Sequence, residues 1–167
     1  MKRGVRKRLK VDGKDVKRIS EHVGLIPLVM IAPADSALIL GGSEERRRFM
    51  DSVIIQYSTS YVEALIRYDK ALKQRNAMLK QEEGYNEAVM DVLEDMMSAS
   101  GQTIYEERKA FVVDFLPIFL DLYKRLSGND DEIVGVKYVS HGDRGELQPQ
   151  LKGFREKERI VGYSLHG

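Results

Sequence analysis

The sequence predicts an α+β fold, mainly helical, with long antiparallel helices flanked by short strands. Three observations carry that prediction. Residues 6 to 20, RKRLKVDGKDVKRIS, alternate about Asp12-Gly13. From Gly41-Gly42 the apolar period changes from two to about 3.6, and with one interruption at Gly84 it persists to Leu126. Alternation then returns in EIVGVKYVS, residues 132 to 140. A chain of 167 residues, 43 % hydrophobic and 32 % charged, has material for one core under a well-solvated exterior.

The elements follow in order. Asp12-Gly13 is a pair that favours a tight hairpin turn. LIPLVMIAP, residues 25 to 33, is a continuous apolar run between prolines, as expected of a strand buried on both faces. In GGSEERRRFMD, residues 41 to 51, Ser43 is a suitable N-cap, and Glu44 and Glu45 sit where the helix dipole favours acids. Phe49, Met50, Val53, Ile54 and Tyr57 then share a face, while Arg46, Arg47 and Arg48 point three ways and cannot serve one ligand.

Ser60 and Glu63 have capping-box spacing and open a second helix, expected to reach Gln81. Its seam is Tyr61, Leu65, Tyr68, Leu72 and Leu79, with Arg75 at the skipped position. A charge there needs a partner, so Arg75 is expected in a structural ion pair. A longer helical stretch, residues 85 to 126, gathers Leu93, Met97, Ser100, Ile104, Arg108, Phe111, Phe115, Ile118 and Leu122 on one face. Arg108 is thus a second seam arginine. The small residues of SASG, 98 to 101, admit another backbone or a break. Pro117 is expected to kink the helix without ending it. SGNDD, 127 to 131, reads as a stop and 132 to 140 as a strand. Residues 147 to 159 read as a short helix weakened by Pro149 and Gly153, and IVGYS, 160 to 164, as the start of a buried strand.

Charge and composition exclude several classes. The net charge of +1 hides an N-terminal segment, residues 1 to 18, that carries +7, so the remainder sums to −6. Such a segment either attracts nucleic acid through phosphate charge or is a solvated hairpin whose lysines protect an edge. No apolar run approaches the roughly 18 residues a membrane span requires, and no apolar region follows the basic start as in a secretory signal. The absence of cysteine rules out disulfides, thiolate metal sites and a cysteine nucleophile. A cytoplasmic protein is expected.

Catalytic patterns are missing. GGSEERRR lacks the lysine and spacing of a phosphate-binding loop, although a helix N-terminus can hold an anion. His22, His141 and His166 lie far apart in sequence without acids at ligand spacing and read as surface or turn residues. Glu82-Glu83 and Asp130-Asp131 read as solvated turns. No metal site and no catalytic residue is assigned.

Two stretches, PLVMIAPADSALILGGSEERRRFMD and YVEALIRYDKALKQRNAMLK, resemble the RecF family of bacterial DNA-repair ATPases. The resemblance rests on Pro33 and Asp35, Gly42-Ser43, Arg47 through Asp51, and Tyr61 through Leu79 with LKQRN at 72 to 76. VKRISEHVG and Gly162-Tyr163-Ser164 also fit. It implies an ABC-type ATPase head related to the structural-maintenance-of-chromosomes heads. Residues 1 to 40 would be strands of the ATP-binding lobe and 41 to 127 the helical lid. Residues 128 to 167 would supply a strand, a short helix and the start of a strand returning to the core. The family's phosphate-binding loop would precede this chain. Its Pro-His-Arg-Asp stretch, signature and Walker B motifs would follow it, so an internal fragment is expected that alone binds ATP poorly and hydrolyses none. ATP and magnesium would be cofactors of the longer protein. Asp35 lies in the region corresponding to the nucleotide-sensing Q-loop, although Ala34 replaces the family's usual glutamate.

The resemblance further implies an ATP-dependent homodimer on duplex DNA near single-strand gaps, supporting recombinase loading with RecR and RecO. Lys70, Lys73 and Lys80, with Arg6, Lys7 and Arg8 of the basic segment, are the candidates for phosphate contacts, since they can stay solvated and still neutralise charge. Arg75 and Arg108 would be structural seam charges. A second reading is a free-standing helical interaction module that pairs through the Tyr61-to-Leu79 seam.

Overall fold

In the computed structural model, residues 9–16, 22–81, 84–128 and 132–166 are described. The first described element is a small antiparallel hairpin, β1 (Lys10–Val11) and β2 (Lys14–Asp15), with Lys10 opposite Asp15 and Val11 opposite Lys14. Asp12 (φ 50°) and Gly13 (φ 77°) both take positive φ, which matches the right-handed twist of paired strands. Helices follow: α1 (Ala37–Leu40), α2 (Ser43–Ile54), α3 (Thr59–Leu79), α4 (Glu87–Ser127) and α5 (Leu147–Val161), with 3-10 turns at Pro33–Ser36 and His141–Arg144.

Helix ends follow local chemistry. Gly42 precedes α2 as its N-cap, so Ser43 is the first helical residue. Ser58, not Ser60, caps α3: its hydroxyl accepts the Tyr61 amide at 3.2 Å. The earlier serine wins because Thr59 and Ser60 already have helical backbone. Asn86 caps α4 by accepting the Val89 amide at 3.1 Å, and Gly128 closes it in the left-handed region, at φ 62°. α4 runs unbroken through SASG and through Pro117.

α3 and α4 form an antiparallel hairpin, with α2 across one end and α5 along the other. One cluster joins Met50 and Ile54 of α2 to Tyr61 and Ala64 of α3 and Ile104 of α4. The second joins Ala71 to Leu93, Met97 and Leu151 of α5, with Tyr68 packed against both clusters. Gly101 permits the second junction, because a Cβ there would lie 2.9 Å from Leu147. The seam of α3 is therefore occupied within the chain: Tyr61 and Leu79 are buried, and Leu65, Tyr68 and Leu72 pack on the two clusters. This corrects the interaction-module reading, which needs that seam free.

All three later strand expectations are also corrected. Residues 25 to 32 take no regular structure, and Leu28 through Ile31 are 73 to 87 % exposed. They are tied down by polar groups, the Leu28 amide to Gln56 Oε1 at 2.8 Å and the Ala32 amide to Asp35 Oδ2 at 2.7 Å. Residues 132 to 140 are likewise irregular. A strand needs a neighbouring strand to satisfy its amides, and among the described residues only β1 and β2 pair. Ile160 and Val161 are the last residues of α5, because left-handed Gly162 donates its amide to Glu158 O at 2.8 Å and closes the helix.

Candidate nucleic-acid interface

α3 buries Tyr61, Ala64, Ala71, Arg75 and Leu79, and so turns its opposite side to solvent. Lys70, Lys73 and Lys80 are exposed there. At 100° per residue they fall within one stripe about 80° wide, over roughly 15 Å of helix. Lys73 pairs with Asp69 at 2.6 Å on the same exposed face. Lys70 and Lys80 have no acidic partner among the described residues. Lys80 also borders an open groove of about 560 Å³ between the C-terminal ends of α3 and α5, floored by Leu79 and flanked by Arg159 and Ile160. Arg159 stacks over Tyr85 at 4.4 Å. The structure thus adds Arg159 to the cationic end of the stripe, a neighbour that sequence spacing could not supply. Arg6, Lys7 and Arg8 lie outside the described residues, as do Glu82-Glu83 and Asp130-Asp131. Lys10 and Lys14, on the hairpin, are exposed.

The two seam arginines organise opposite ends of the hairpin. Arg75 has no exposed surface and meets Glu94 Oε1 at 3.0 Å and Glu158 Oε2 at 2.6 Å. The Glu158 contact is an ion pair by distance only, since Oε2 receives no well-directed hydrogen bond. Arg155 completes the group, bonding Glu94 at 2.5 Å and Asp91 at 2.6 Å, with Glu87 at 3.3 Å. That bond from Arg155, with a second from Lys152 at 3.2 Å, holds the Asp91 carboxyl below its usual pKa. At the other end Arg108 donates to Asp51 and to Tyr61 Oη, while Tyr61 donates to Asp51 at 2.5 Å. Burial, then the bond to Asp51, pushes the Tyr61 phenol well above its ordinary value. Sequence reasoning marked both arginines but missed their partners. Asp51, Glu94 and Glu158 are on other helices, and only the rule that a seam charge needs an opposite charge pointed toward them.

Elsewhere the arginines of α2 serve the local backbone and neighbouring side chains. Arg46 donates to Leu38 O and Gly41 O, Arg47 to Ser43 Oγ, and Arg48 to Glu44 and Glu45. Asp35 caps its own turn through Oδ2. That bond engages one oxygen of the Asp35 carboxylate. The histidine expectation needs correcting: His166 is 3 % exposed, its ring 4.6 Å from His141 and 4.4 Å from Phe154. No helix among the described residues is long and apolar enough to cross a membrane.

Comparison with known proteins decides the family. A curated relative from Bacteroides fragilis, DNA replication and repair protein RecF, is 49 % identical over 167 residues, covering 100 % of this chain and 45 % of the relative. The chain belongs to the RecF family. RecF proteins of Phocaeicola vulgatus (47 % over 167 residues) and Porphyromonas gingivalis (44 % over 165 residues) match over 45 % of their own lengths. A solved structure of the recombination mediator protein RecF-ATP in the RecFOR pathway superposes with a TM-score of 0.83 at 25 % identity, covering 97 % of this chain and 46 % of that one. No family model matches. This RecF-family chain therefore spans about half the length of the relatives it matches, and its fold is that of the corresponding part of RecF.

Proposed function

We propose that this chain forms the helical lid and flanks of a RecF-type DNA-repair and recombination ATPase, with the lysine stripe of α3 meeting DNA phosphates. The supporting observation is the alignment of solvated Lys70, Lys73 and Lys80 on one face in a chain that is RecF-like along its whole length. Residues 41 to 127 are the lid and residues 1 to 40 belong to the ATP-binding lobe. Residues 128 to 167 lead back to that lobe through α5, not through a strand. The exposed apolar run 28 to 31 is the surface on which the rest of that lobe would pack, in keeping with relatives more than twice as long. In the longer protein, ATP with magnesium would join two heads into a homodimer on duplex DNA beside single-strand gaps. RecR and RecO would be the partners in recombinase loading, and Asp35 would lie near the nucleotide without contributing its whole carboxylate. Hydrolysis belongs to motifs outside this chain.

Fluorescence anisotropy with a gapped duplex over a salt series tests the interface. Replacing Lys70, Lys73 and Lys80 together by Glu is expected to weaken binding uniformly across sequences. It should also flatten the slope of log K against log salt by about 2 to 3, near 0.9 for each phosphate no longer neutralised. An unchanged slope would remove the stripe from the interface.

A further inference from the structure

Beyond α5 the chain doubles back on itself. Gly162 turns it at φ 75°, and residues 163 to 166 then lie against the helices they have just left. Tyr163 and Leu165 remain 53 % and 41 % exposed, so this short segment is not held chiefly by burying apolar side chains. Its attachments are polar and come from two helices. The Ser164 amide donates to Asn76 Oδ1 at 2.8 Å, and Arg75 Nη1 donates to Ser164 Oγ at 3.1 Å; both partners are on α3. The Leu165 amide donates to Glu158 Oε1 at 2.6 Å, on α5. Ser164 Oγ donates to His166 O at 2.9 Å, and the enclosed His166 ring closes the fold-back against Phe154 and His141.

These anchors are not independent of one another. Arg75 and Glu158 are fully buried and in contact with each other, and the same guanidinium reaches Glu94 of α4 and Leu151 O of α5. The segment therefore bridges groups whose spacing is set by how α5 sits on α3 and α4. Hydrogen bonds of this length break once a donor and acceptor part by more than a few tenths of an ångström to about 1 Å. A small slide of α5 along α3 would release several together.

We propose that residues 162 to 166 are a latch that senses the docking of α5. The latch is seated only when α5 holds this register against α3 and α4, and when seated it strengthens that docking. Linkage makes the coupling reciprocal: whatever loosens the latch must loosen α5, and whatever moves α5 must free the latch. Through it, the position of the helical hairpin is passed to the chain that follows α5.

Amide hydrogen exchange on this chain tests the reciprocity, using two mild variants, since loss of Arg75 itself could prevent folding. Asn76→Ala is expected to speed exchange at Ser164 and Leu165 about five- to tenfold, the effect of removing one hydrogen bond. Ser164→Ala is expected to speed exchange of the α5 amides from Leu151 to Glu158 by a similar factor, with Met50 to Ile54 of α2 unaffected. Unchanged α5 protection in Ser164→Ala would make the segment a passive tail and overturn the proposal. Equal acceleration everywhere would also overturn it, because that is general destabilisation and not a latch.

Discussion

A buried arginine such as Arg75 is tolerated only because its charge is met from two sides, and the group around it is internally balanced. Arg75 and Arg155 face Glu94 and Glu158, with Asp91 and Glu87 at the rim. Such a cluster adds little net stability over an apolar core, but removing one partner strands the others and costs about 3 to 5 kcal/mol. His166 adds a titratable group to its edge. Burial lowers its pKa first, and the positive groups His141, Arg75 and Arg144 lower it further, while Glu158, with Nδ1 3.8 Å away, opposes them. In the unfolded chain the imidazole takes a proton near pH 6.5, whereas the folded chain resists it. Below that pH the unfolded state binds the extra proton, so stability falls as pH drops from the unfolded pKa towards the lowered folded one. Thermal unfolding should therefore show Tm decreasing from pH 7.5 to 5.5, and His166→Gln should make the decrease smaller. Parallel curves for the two proteins would mean that His166 is not the group that titrates.

At the scale of elements, two glycines inside helices make opposite predictions from the same chemistry. Gly153, in α5, has nothing within 4 Å of an added Cβ and is exposed. Gly153→Ala should stabilise the chain by about 0.5 to 1 kcal/mol, the backbone-entropy difference within a helix. Gly101, in α4, has Leu147 at 2.9 Å and Tyr68 at 3.3 Å from that position. Gly101→Ala should instead push α5 outward and lower the denaturation midpoint, despite the same gain in helix propensity. Urea titrations of both variants check the pair, and a shared sign would refute the packing argument. Sequence alone marked Gly153 as a weakness of its helix and left SASG, 98 to 101, as either a close approach or a break, because that choice depends on α5 arriving over Gly101. The helices themselves were legible for a local reason: their periodicity, caps and stops lie within a few residues of one another. The hairpin about Asp12-Gly13 was legible for the same reason, but the later strand expectations failed, since the runs 25–33 and 132–140 carry strand composition while pairing depends on partners distant in sequence. The lysine stripe could be read from spacing on a single helix, whereas Arg159 beside Lys80 and His141 beside His166 required the tertiary fold.

For the molecule as a whole, the α3–α4 hairpin is a beam pinned at two places. One pin is Asp51–Tyr61–Arg108, which holds α2, and the other is Arg75–Glu94–Glu158–Arg155, which holds α5. Along α3, Tyr61 and Arg75 are separated by about 21 Å at 1.5 Å per residue. Tyr68 lies between them and packs against both apolar clusters, so among the described residues it is the side chain that links them by direct contact. If the hairpin is a stiff lever, each pin should act on its own adjoining helix and the two should not exchange free energy. Asp51→Asn removes a carboxylate that is partly exposed and should cost about 1 to 3 kcal/mol, as for a hydrogen-bonded charged group. Glu158→Gln removes a fully buried one and should cost about 3 to 5 kcal/mol. For sites this far apart without shared partners, the double variant should lose the sum of the two to within about 0.5 kcal/mol. Equilibrium unfolding of the four proteins in urea measures the cycle. Additivity would assign the two ends separate tasks, with α2 and α5 responding independently. A coupling above about 1 kcal/mol, suppressed by Tyr68→Ala, would instead mean that a change at one end of the hairpin is felt at the other through its core.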